Sequence, residues 1–150
     1  MHFHRGYEEK INLSHFWKFF YFGQSNLLRK NCKLLFYKVF LKIDIEGSEY
    51  DILEDILKVQ NKISALIIEF HDINKYRTVI ENFIKRLELN LTHIHPNNYG
   101  KLDKNNDPII IELSFEKNPK IIGGEVKLPN KLDQKNNPKK NDIFIKFNNA

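Results

Sequence analysis

KVFLKIDIEGSEYDILEDI, residues 38–56, decides the fold. Val39, Leu41, Ile43 and Ile45 alternate with Phe40, Lys42, Asp44 and Glu46. A period of two predicts a strand over 39–46 with one apolar face and one partly polar face. Asp44 and Glu46 then point to the same side at the strand's carboxyl end, where open α/β sheets usually carry their chemistry. Gly47 frees the backbone to turn, Ser48 suits a helix N-cap, and Glu49 and Asp51 put negative charge where the helix dipole favours it. The helix is expected to start at Ser48 or Glu49, with Glu49 a dipole partner rather than a site residue.

Working outward, Ile52, Leu53, Ile56 and Leu57 form an apolar stripe that continues this helix to about Val59. Ile63 to Phe70 is a short, nearly continuous apolar run, the mark of a parallel strand buried on both faces. Tyr76, Val79, Ile80, Phe83, Ile84 and Leu87 repeat at helical spacing. Strands are expected at Leu91–His95 and Ile109–Phe115, joined by a polar loop with Pro96, Gly100 and Pro108. The order is β-α-β-α-β-β with an antiparallel last pair, an α/β fold.

The string LKIDIEGSEYDIL resembles the KIDvEG-x-E-x-x-x-L signature of the FkbM-type methyltransferases. LIIEFH at 66–71, HPNNYG at 95–100 and PIIIELSFEK at 108–117 follow in the order and spacing of that family. The resemblance, over about residues 38–117, implies the later half of a Rossmann-like class I methyltransferase sheet. It also implies S-adenosylmethionine as donor and O-methylation of a small hydroxylated acceptor such as a sugar. Such enzymes carry, upstream, a glycine-rich turn after a first strand and an acidic residue after a second. The six glycines here, Gly6, Gly23, Gly47, Gly100, Gly123 and Gly124, include no G-x-G, so the cofactor-binding half looks absent and no residue is assigned to the cofactor.

Methyl transfer from a sulfonium needs its reactants aligned and, for a hydroxyl acceptor, a proton removed. Asp44 is the first candidate base, against a structural role in the turn or a pairing with Lys42. Glu46 either orients the acceptor or bonds the next helix's amides. Glu69 and His71 close the second strand on one face, beside Asp44 if the two strands are neighbours, and give acid and base together. His95, Asn97 and Asn98 follow the third strand, where amides suit sugar hydroxyls. Asp44, Glu46, Glu69, His71 and His95 would also make a plausible metal set, and His93 with His95 or His2 with His4 are same-face pairs. None has the spacing of a recognised metal motif, so no metal is assigned.

Composition narrows the partners. With 12 Phe and 6 Tyr in 150 residues the chain can pack a core, so it is not a disordered segment. Its net charge of +5 comes from dispersed lysines, with arginine limited to Arg5, Arg29, Arg77 and Arg86, which argues against nucleic acid. The single cysteine, Cys32, forbids an intrachain disulfide and suits a reducing compartment. The first residues lack the layout of a secretory signal, and no apolar run nears a membrane span's ~18 residues. A cytoplasmic location is expected.

Three zones result. Residues 1–37 are rich in aromatics, with helices conceivable at Leu13–Phe22 and Ser25–Tyr37. Residues 38–117 are expected, from the resemblance, to form a partial methyltransferase domain. Residues 118–150 are a Lys- and Asn-rich extended tail ending in IFIKF, a candidate edge strand. The competing reading is a catalytically silent methyltransferase fragment. In that reading the open edge of the 39–46 strand is covered by residues 1–37, by a second copy, or by a complementing upstream chain.

Overall fold

The computed structural model describes residues 38–120 and 128–145, all within one compact unit, Phe36–Ala150. The two helices expected before residue 38, and a cover for the strand edge by that segment, lie outside the described residues. Strand β1 runs Val39–Ile43, followed by a 3₁₀ turn at Glu49–Ile52 and helix α1 at Leu53–Val59. A second 3₁₀ turn, Gln60–Lys62, leads into β2 at Ile63–Phe70, then helix α2 at Ile73–Arg86. β3 is Asn90–Pro96 and β4 is Ile111–Glu116.

The four strands form one sheet in the order β1-β2-β4-β3, so the last strand inserts beside β2. β1 and β2 are parallel, and β4 is antiparallel to both β2 and β3. This is the α/β arrangement of the later half of a Rossmann-like methyltransferase sheet.

Register sorts the side chains by face. Ile43, Ile68, Leu113 and Ile94 align across the sheet, as do Leu41, Leu66, Phe115 and Leu91. Most of these join Phe70 in a core with Leu53, Ile56 and Leu57 of α1 and Ile80 and Phe83 of α2. Phe70 meets Phe83 edge-on, with ring centroids 6.3 Å apart. The opposite face carries Lys42, Ile67, Ser114 and His93 in one row and Glu69, Glu112 and His95 in the next. Burying one face under helices leaves this polar face, and the groups at its carboxyl end, for chemistry.

Several boundaries differ from the sequence reading. β1 stops at Ile43, because Glu46 (φ 54°) and Gly47 (φ 98°) turn the backbone out of the ladder. Ser48 occupies the N-cap position but makes no side-chain capping bond. The Gly47 amide donates instead to Glu49 Oε1, 3.1 Å away. Lys42 pairs with Glu112 at 3.3 Å rather than with Asp44. Residues 128–145 contain no helix or strand, and residues 143–145 of the expected last strand do not join the described sheet. The tail nevertheless docks: buried Asn98 donates to Asn137 O at 3.0 Å and accepts from Asn137 N at 2.6 Å.

Candidate functional site

β1 and β2 are parallel neighbours, so their carboxyl ends open to the same side. Beyond each, the chain passes through a left-handed residue, Glu46 (φ 54°) after β1 and Asp72 (φ 52°) after β2. Such backbone costs on the order of 1–3 kcal/mol in a residue with a Cβ, and is characteristic of sites that fix a side chain's direction.

His71 stands at the centre. Its Nδ1 lies 2.7 Å from Glu49 Oε1. Because that oxygen also accepts from the Gly47 amide, Nδ1 is the donor of this pair, and Nε2 is turned to the other side of the ring. Nε2 faces Glu46 Oε2 and Glu69 Oε1, each at 3.5 Å. One donor atom from each of Asp44, Glu46 and His71 falls within 4.8 Å of the others. The His71 carbonyl accepts a hydrogen bond from the Tyr50 hydroxyl. Tyr50 stacks on Tyr76 with centroids 3.9 Å apart. Burial, and then the charge of Glu49, pushes the Tyr50 hydroxyl well above its ordinary range, so it stays a donor.

Glu49 is the residue the sequence reading missed. Its side chain is fully buried, and Oε2 has no hydrogen-bond partner among the described residues. The signal was present: Glu49 precedes Leu53, Ile56 and Leu57 at helical spacing, so it occupies a core position of the apolar stripe. A carboxyl group on that stripe has to find a buried partner, which here is His71.

Of the other candidates, Asn97 joins the cluster by donating to Glu69 Oε1 and Oε2 at 3.2 and 3.4 Å. It is held by a turn closed from the Gly100 amide to Asn97 O, in which a Cβ at Gly100 would crowd Ile110 at 3.1 Å. His95 is not brought to the cluster. It faces Glu112, which in turn faces Glu69, leaving it two strands away, about 10 Å at ordinary strand spacing. Asn98 points to the tail. Two shallow clefts between α1 and α2, lined in part by Glu54, Leu57 and Arg86 and by Val79, Asn82 and Phe83, contain neither these carboxylates nor His71.

Glu69 is held above the usual carboxylate range, chiefly by burial, while the Asn97 amide pulls the other way. An acid whose folded value is raised favours the native state below its ordinary range, and that advantage is lost as pH rises through the raised value. Glu69→Gln keeps an acceptor for Asn97 and cannot ionise. Its Tm relative to wild type is expected to climb from the ordinary glutamate range upward. A difference that stays flat with pH would contradict this.

What the cluster offers is an imidazole ring held through Nδ1 by a buried acid, with Nε2 turned to carboxylates and an amide that can hold hydroxyls. Residues 37–120, more than half of the chain, match the family model of the methyltransferase FkbM domain. No curated protein and no solved structure matches the chain.

Proposed function

Because the chain belongs to the FkbM methyltransferase family, we propose that it methylates a small hydroxylated acceptor such as a sugar, in the cytoplasm, with S-adenosylmethionine as donor. The observation that carries this reading is the buried Glu49 holding His71 beside Asp44, Glu46 and Glu69. His71 Nε2 takes the acceptor proton, and Glu49 fixes the ring and stabilises the imidazolium that forms. Asp44, Glu46 and Glu69 accept hydrogen bonds from neighbouring hydroxyls, and Asn97 positions Glu69. Asp44, at the exposed mouth, binds the acceptor rather than taking its proton, since it has no buried partner to orient it.

The described residues do not form a seat for the donor. Their glycines, Gly47 and Gly100, stand in separate turns, with no glycine-rich backbone to lie against a nucleoside. The described residues are therefore given the acceptor side alone.

That gap favours a second reading, the catalytically silent domain, in which the Glu49–His71 pair only supports the strand ends and the β1 edge pairs with a second copy or an upstream chain. Two experiments on the purified chain separate the readings: calorimetric titration with S-adenosylhomocysteine, and transfer of a labelled methyl from S-adenosylmethionine to a panel of sugars. Binding and labelled product are expected. Neither binding nor product would establish the silent domain.

A further inference from the structure

A second cluster lies on the same sheet face at the far edge. His93 and His95 are two residues apart on β3, the outer strand of the described sheet, with ring centroids 6.3 Å apart. Asp133 reaches them from the tail. A tight turn aims it: its amide donates to Asn130 O at 2.9 Å, while Oδ2 accepts from Asn130 N at 2.6 Å. Oδ1 then lies 2.9 Å from His93 Nε2. That nitrogen is buried and, apart from this close approach of Asp133, has no hydrogen-bond partner among the described residues. One donor atom each from His93, His95 and Asp133 falls within 4.8 Å of the others.

We infer that His93, His95 and Asp133 bind a divalent transition-metal cation of the zinc type, which clasps the tail to the outer strand. Ligand atoms at roughly 2.0–2.2 Å around a tetrahedral zinc ion stand about 3.3 Å apart, within reach of this set by small side-chain rotations. Two imidazoles and one carboxylate select zinc, nickel or copper over magnesium or calcium. A cation there is shared by the His93 nitrogen and the Asp133 carboxylate and neutralises Asp133. It also fixes the tail beside the loop of Asn97 and Asn98, next to the Asn98–Asn137 contact, and shields an outer strand from pairing elsewhere. The site is separate from the Glu49–His71 cluster and stands whether or not the chain transfers methyl groups.

The test is calorimetric titration of the full chain, purified without a histidine tag and freed of metal, with zinc chloride. One site per chain is expected, and His95→Ala and Asp133→Asn each weaken it at least about tenfold, no less than the effects seen for ligand-supporting residues. Cobalt(II) added to the wild-type chain gives the visible bands of a tetrahedral site, a readout that holds even where a variant folds poorly. No binding, zinc affinity unchanged in both variants, or an octahedral cobalt spectrum would overturn the inference.

Discussion

His71→Asn lowers the turnover of methyl transfer by about 10²–10⁴-fold, the usual contribution of a positioned general base. The asparagine amide nitrogen sits near the place of Nδ1, so Glu49 keeps a donor and the strand ends keep their support. What disappears is the lone pair at Nε2, the atom that faces Glu46 and Glu69. The loss should therefore fall on kcat at saturating acceptor, with a denaturation midpoint close to wild type. Asp44→Asn, by contrast, should act mainly on acceptor KM, because its neutral amide accepts from the acceptor hydroxyls more weakly than the carboxylate while the base is untouched. A His71→Asn variant turning over within about threefold of wild type would remove His71 as the base.

Glu49→Ala is expected to cost about 2–4 kcal/mol of stability, large for one substitution in a short helical turn. The side chain is fully buried, so its removal leaves a void. It also leaves the His71 Nδ1 proton and the Gly47 amide without their acceptor. Glu49→Gln keeps the Oε1 acceptor and should cost far less, while leaving an unpaired amide group where Oε2 already lacks a partner. Urea denaturation at an unchanged m-value measures the difference. An alanine variant as stable as the glutamine one would mean that the pair does not support the fold. Because Glu49 acts through His71, its alanine variant should also lose turnover, in proportion to the ring's freedom rather than as a second base.

The sheet was legible because its signals are local. Ile63–Phe70 is a strand from end to end, and the stripe of Tyr76, Val79, Ile80, Phe83, Ile84 and Leu87 follows the helix Ile73–Arg86, with a kink at Tyr76 and Leu87 just past the end as its C-cap. Asp44 and Glu46 were placed at a strand end by alternation, and they do meet His71, although Glu46 gets there through a left-handed turn and not along the strand. Pairing was harder to read. Nothing in the order of the strands states that β4 inserts between β2 and β3, and that insertion separates His95 from Glu69. Glu49 was missed because a glutamate in a first helical turn has an ordinary explanation, dipole compensation, that hides its register with the core. Asp133 was out of reach for a different reason: it meets His93 through a docked tail without periodic structure, held by Asn98, and no local pattern announces that contact.

The account depends on His71 presenting a bare Nε2 to the carboxylates while Glu49 holds the proton on Nδ1. A long-range proton–nitrogen correlation spectrum of the imidazoles, taken at alkaline pH on the full chain and assigned with His71→Asn, reads that directly. The Nδ1–H form is expected for His71, with a shift toward mixed tautomers in Glu49→Ala. A spectrum in which His71 carries its proton on Nε2 would contradict the account, since no lone pair would then face the acceptor.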